Sequence, residues 1–185
     1  MALTETPPAE LGTPAPDFDL LGVDGRRWRL ADCRGEKGTL VMFICNHCPY
    51  VKAVRERLIR DVRELEQYGV KSVAIMPNDT AAYPDDSYEN MQREAKEYGY
   101  PFPYLIDETQ EVARAYGAVC TPDFFGYDAD LRLRYRGRLD ATTPSRQAPP
   151  DAPRDLFEAM RLIAETGKGP ERQIPSMGCS IKWRT

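Results

Sequence analysis

The sequence predicts an α/β sandwich, with parallel strands joined by helices and an antiparallel hairpin and a helix closing the far edge. Three observations carry this. Residues 39–44 form an unbroken apolar run that leads, through a short polar link, into an amphipathic helical pattern. A second apolar run, Val70 to Met76, follows once Gly69 stops that helix. Residues 131–139 alternate apolar side chains with arginines, which marks an antiparallel strand with one wet face.

Taken in order, residues 1–16 carry Pro7, Pro8, Pro14 and Pro16 and read as an extended lead-in. Asp17 to Leu30 holds a hairpin signal: Phe18-Asp19-Leu20, a turn at Asp24-Gly25, and Trp28-Arg29-Leu30. Thr39 to Ile44 suits a central strand buried on both faces. In the helix that follows, Val51, Val54, Leu58, Val62 and Leu65 fall three or four apart with charges between them. A helix is expected over 86–98, a short strand over 103–106 and a short helix over 109–116. Cys120-Thr121-Pro122 precedes a strand over 123–127, and Asp128-Ala129-Asp130 turns the chain. Leu131, Leu133, Tyr135 and Leu139 then face inward. Arg132, Arg134, Arg136 and Arg138 read as a solvated face that protects an edge strand from aggregation. A proline-rich loop covers 141–153, and a last helix covers 155–165. One domain over 17–168 accounts for these elements. The tail over 169–185 has little regular pattern, but Trp183 so near its end argues that it docks on the body.

The bulk composition narrows the function. The chain has 185 residues, 42% of them hydrophobic and 29% charged, as a globular domain requires. With 29 acidic against 25 basic residues, the net charge of −4 gives no reason to expect nucleic acid or an anionic membrane as partner. The first residues lack a basic start followed by an apolar run, and no window approaches a membrane span, so a cytoplasmic setting is expected. The cysteines are five, Cys33, Cys45, Cys48, Cys120 and Cys179; in a reducing compartment an odd number argues for reactive or metal-binding thiols over a static disulfide framework.

Cys45-Asn46-His47-Cys48 is the strongest motif, because it lies between a buried strand and an amphipathic helix. A sulfur at a helix start faces unpaired N–H groups and the positive end of the helix dipole, which favour thiolate. On this reading Cys45 is the nucleophile at the helix start. Cys48, one turn inward, attacks the mixed disulfide that Cys45 has made. The bland alternative is two ordinary buried cysteines. A zinc site is the other: Cys45, His47, Cys48 and either Cys120 or Cys179 offer ligands, but no second Cys-x-x-Cys or His pair supports it. Pro49 stands where a c-type haem would need histidine, and no cofactor or metal is expected. His47, the sole histidine, precedes Cys48 and offers a donor or partial charge that stabilises a thiolate. Thr121-Pro122 suits a cis peptide bond that turns the chain tightly. Cys33 reads as an inert small residue.

The sequence resembles the redoxin families, the peroxiredoxin-like branch (alkyl hydroperoxide reductase C and thiol-specific antioxidant type) of the thioredoxin superfamily. Gly12-Thr13-Pro14-Ala15-Pro16-Asp17-Phe18 is similar to their opening motif, and Asp24-Gly25 with Trp28-Arg29-Leu30 to their first hairpin. Cys45-Asn46-His47-Cys48-Pro49-Tyr50-Val51-Lys52 resembles the active-site signature of one peroxiredoxin-like group, and Gly178-Cys179-Ser180-Ile181-Lys182-Trp183 that group's C-terminal signature. Val119-Cys120-Thr121-Pro122 lies where the superfamily places its cis-proline loop. The resemblance implies a thioredoxin fold, an α/β/α sandwich with an N-terminal hairpin extension. It implies thiol or disulfide substrates, a reductant the sequence does not name, and a substrate strand that pairs with the backbone of Thr121 beside Pro122. Cys179 or Cys120 would then be a third thiol.

Two departures bear on the reaction. Thr39 stands where thioredoxin has an acidic residue, leaving Asp79 as the carboxylate expected near the site. Aligning Cys48-Pro49 with the peroxiredoxin Cys-Pro puts Cys45 in place of their Thr or Ser, and their site arginine has no counterpart. Disulfide exchange is therefore expected ahead of antioxidant peroxide reduction, with a non-enzymatic redox- or metal-binding module as the third reading.

Overall fold

The computed structural model describes residues 2–185. Fifteen α-helices and β-strands order the described residues: β1 (Leu3–Glu5), β2 (Asp19–Gly22), β3 (Arg27–Arg29), α1 (Leu30–Cys33), β4 (Gly38–Phe43), α2 (Pro49–Leu65), β5 (Val70–Met76), α3 (Tyr88–Tyr98), β6 (Tyr104–Ile106), α4 (Glu111–Tyr116), β7 (Cys120–Thr121), β8 (Asp123–Asp128), β9 (Leu133–Arg136), α5 (Asp155–Thr166) and β10 (Met177–Ser180). Seven strands form one sheet in the order β3-β2-β6-β5-β4-β8-β9. The three central strands β6, β5 and β4 are parallel, and β8 and β9 continue antiparallel. The hairpin β2–β3 adds the opposite edge.

The apolar run in β4 works as a strand buried on both faces. Leu40, Met42 and Ile44 pack into one core with α2 and α5, while Val41 and Phe43 pack into the other with Leu30, Ala113 and Tyr116. In α2, Val51, Val54, Leu58, Val62 and Leu65 supply the buried stripe, and Gly69 ends the following 3-10 turn at φ +78°, a conformation that favours glycine.

Two segments differ from the sequence reading. The lead-in and the tail each contain a strand, and these join β7 in a small antiparallel sheet of order β1-β10-β7. Neither strand alternates or runs apolar, so no periodicity marks them. The arginine face of 131–139 is solvated only in part: Arg132 is exposed, but the other three have acidic partners. Arg136 is buried and pairs with buried Asp123 (2.9 Å), its guanidinium lying 4.5 Å over the Phe125 ring. Arg134 and Arg138 pair with Asp128 and Asp155, each at 2.7 Å. Alternation reports which side a residue faces, and here acidic partners from β8 and α5 cover that side.

Candidate active site: three thiols at the start of α2

The link between β4 and α2 carries the chemistry. The helix begins at Pro49, so Cys48 occupies its N-cap, with φ −67° and ψ 123°. This corrects the expected register. Cys45 is not the helix-start residue; it lies three residues earlier, in the link, and Cys48 meets the helix N-terminus. Proline at the first helical position explains the shift: it lacks the N–H that would be unpaired there and its φ suits the first turn.

The two thiols sit in opposite electrostatic settings. The neighbouring Cys48 thiol pushes the Cys45 thiol well above its ordinary range, and burial and the nearby Asp86 carboxylate push it the same way. Cys48 is held below the ordinary thiol range. The neighbouring Cys45 thiol contributes most, burial opposes it, and the Cys179 thiol and the Val51 N–H of the first helical turn add to it. Both sulfurs are buried.

Thr121 touches both: its Oγ1 lies 3.5 Å from Cys45 Sγ, and its carbonyl accepts from Cys48 Sγ at 3.2 Å. The Thr121–Pro122 bond is cis. The tail brings in a third sulfur, because Cys179 Sγ lies 2.7 Å from Cys48 Sγ. Burial and its bond to Cys48 push the Cys179 thiol up to about 12. Cys120 lies on β7 with its thiol turned to the Pro122 carbonyl at 3.5 Å. Cys33 is buried near α1, where burial pushes its thiol up to about 12.

Asp86 is the group that sequence reasoning missed. It is fully buried at the end of a 3-10 turn, Pro84–Asp86. Its Oδ1 accepts from the Asn46 N–H (2.8 Å); its Oδ2 accepts from Asn78 Nδ2 (2.9 Å) and lies 2.7 Å from His47 Nδ1. The Asn46 side chain is bound in turn by Tyr104 Oη at 2.8 Å. These bonds fix the Cys45–Cys48 link. Asp79, the carboxylate expected here, is held elsewhere: it accepts from the Ala81 N–H at 3.1 Å and lies 3.8 Å from Arg184. Nothing in Pro84-Asp85-Asp86-Ser87 separates Asp86 from an ordinary helix-leading acid.

Cys45, His47 and Asp86 offer ligand atoms within 4.8 Å of one another, the arrangement a metal ion would use. Closed zinc sites take four ligands, and both Asp86 oxygens already have protein partners. The arrangement suits proton handling better. His47, stacked on Tyr83 with ring centroids 6.0 Å apart, is the part-exposed member of the group.

The parallel core, the strand-to-helix junction that carries the buried thiols and the cis-proline loop beside it make this a protein of the thioredoxin fold. The comparisons define the family more narrowly. Residues 11–136 match the AhpC/TSA family model, and the chain belongs to that family; it is an oxidoreductase of thiol chemistry. It is 30% identical over 135 residues to a protein of Geobacillus thermodenitrificans named thiol-disulfide oxidoreductase ResA, covering 71% of each chain. Among solved structures, an uncharacterized conserved protein from Geobacillus kaustophilus is 48% identical with a TM-score of 0.93, covering 100% of this chain and 97% of that one. A hypothetical protein from Sinorhizobium meliloti is 40% identical with a TM-score of 0.93, covering 98% and 99%. No helix among the described residues is long and apolar enough to cross a membrane.

Proposed function

We propose that this protein is a thiol–disulfide oxidoreductase in which Cys48 is the nucleophile and Cys45 the resolving thiol. The observation that carries this is the N-cap position of Cys48, at the positive end of the α2 dipole. The name of the Geobacillus thermodenitrificans relative supports the same reaction class.

The exchange follows from the geometry. The Cys48 thiolate attacks one sulfur of a substrate disulfide, and the other sulfur leaves as a thiolate that takes up a proton. Cys45 then gives its proton to the Asp86–His47 pair and attacks Cys48. The bound substrate sulfur departs, and a Cys45–Cys48 disulfide remains. Two substrate thiols are formed as two protein thiols are oxidised, and an external reductant reverses the change. Thr121 lies against both sulfurs throughout.

The test is exchange with glutathione disulfide, followed by peptide mapping. The unaltered protein is expected to gain a Cys45–Cys48 disulfide, and Cys48→Ser to lose exchange. Full exchange by Cys48→Ser would overturn the assignment.

A second reading, a thiol peroxidase, is favoured by one observation: a low-pKa thiol stands directly before Pro49 at a helix start. Peroxide would convert Cys48 to a sulfenic acid for a neighbouring thiol to resolve. Stopped-flow oxidation by hydrogen peroxide separates the readings, and slow oxidation is expected because no arginine among the described residues is hydrogen-bonded to the thiol cluster.

A further inference from the structure

The edge of β7 is where the resembled fold receives a substrate strand, and in this protein the chain's own tail occupies it. β10 runs antiparallel to β7, with Cys179 opposite Thr121 and Ser180 opposite Cys120. Its other edge is taken by β1, with Leu3 opposite Cys179. Gly178 permits the approach: a Cβ there would lie 2.0 Å from the Thr121 carbonyl oxygen. Both flanks are pinned. Ser176 Oγ donates to the Pro122 carbonyl at 2.8 Å, and the Ile181 N–H to Val119 O at 3.1 Å. Beyond the strand, the Lys182 N–H donates to Asn78 Oδ1 at 2.9 Å, and Lys182 O accepts from the Asp79 N–H at 2.8 Å. The result is a fixed strand that carries a cysteine to 2.7 Å from the Cys48 sulfur.

We propose that β10 is a built-in substrate strand, and that Cys179 is a third redox thiol that forms a disulfide with Cys48 in place of Cys45. The inference rests on the reading of Cys48 as nucleophile. Starting from the Cys45–Cys48 disulfide, the Cys179 thiolate attacks Cys48 Sγ. The Cys48–Cys45 bond breaks, and Cys45 leaves as a thiolate and takes the proton that Cys179 has lost. One disulfide is exchanged for another, so no oxidant is consumed. Starting from a mixed disulfide on Cys48, the same attack expels the substrate thiol. The Cys48–Cys179 bond ties the start of α2 to β10 and closes the Thr121 edge to any external strand. The substrates that fit this arrangement are low-molecular-weight disulfides.

The deciding experiment treats three proteins with glutathione disulfide, quenches them in acid, alkylates free thiols and maps the peptides. Cys45→Ser is expected to hold an internal Cys48–Cys179 disulfide and no glutathionyl adduct. The double variant Cys45→Ser, Cys179→Ser is expected to keep the adduct on Cys48. The unaltered protein is expected to show Cys48–Cys179 alongside Cys45–Cys48, which secures the result should either variant fold poorly. An adduct that persists on Cys48 in Cys45→Ser, with Cys179 alkylated there and in the unaltered protein, overturns this inference and leaves the proposed function standing. No modification of Cys48 in any of the three overturns both.

Discussion

Asp86→Asn perturbs the site at the group that holds it together. The carboxylate is fully buried and accepts from two donors, the Asn46 N–H and Asn78 Nδ2, while His47 Nδ1 lies 2.7 Å from its Oδ2. An amide of the same shape offers one oxygen and one NH2, so at least one of those donors must face another donor. An orphaned buried donor costs about 1–3 kcal/mol, and the surviving bond falls from charge-assisted to neutral strength, a further loss of about 1 kcal/mol. The variant should therefore lose about 2–4 kcal/mol of stability. Urea unfolding measures this as a lower midpoint at an unchanged slope. The same change acts on Cys45, whose thiol Asp86 helps to hold above its ordinary range. With that charge gone, Cys45 should reach its thiolate at lower pH, so its alkylation should rise at lower pH than in the unaltered protein. A variant within about 0.5 kcal/mol of the unaltered protein, the usual range for a surface change, and with an unmoved Cys45 profile, would refute the reasoning.

Two further outcomes follow from the packing. Gly178→Ala sets a methyl group against the Thr121 backbone, which cannot swing aside as a side chain would; β10 must lift, at about 1–3 kcal/mol, and Cys48 and Cys179 should be alkylated faster. An unchanged melting temperature with unchanged alkylation would contradict that. Asp123→Asn leaves buried Arg136 without its carboxylate, whose two oxygens accept from Nη2 and Nε at 2.9 and 3.2 Å. A loss of about 3–5 kcal/mol is expected, and thermal unfolding that matches the unaltered protein would count against the ion pair.

The central sheet was legible because burial on both faces leaves a direct mark: an unbroken apolar run such as Leu40 to Ile44 has few other uses. The stripe from Val51 to Leu65 was legible for the same kind of reason, since a helix face repeats. The small sheet was not. β1 and β10 are three and four residues long, their pairing joins the two ends of the chain, and nothing local in Leu3-Thr4-Glu5 or Met177-Gly178-Cys179-Ser180 announces a partner so distant in sequence. At the site, the Cys45–Cys48 spacing and the loop at Thr121–Pro122 could be read from sequence. The helix register was misplaced although Pro49 marks it: proline favours the first helical position, which makes Cys48 the cap. The arginines of 131–139 show a further limit. A charged face resembles a wet one until the acids that cover it, Asp123, Asp128 and Asp155, are placed in space.

Alkylation of each thiol as a function of pH, read by mass spectrometry on separated peptides, tests the central claim most directly. The thiolate is the reacting form, so a lowered pKa moves the rise in rate to lower pH. Cys48 is expected to reach half its limiting rate well below the free-cysteine value of about 8.5, with Cys45 and Cys179 rising only above it. A profile in which Cys45 rises first, with Cys48 following at or above that value, would contradict the account.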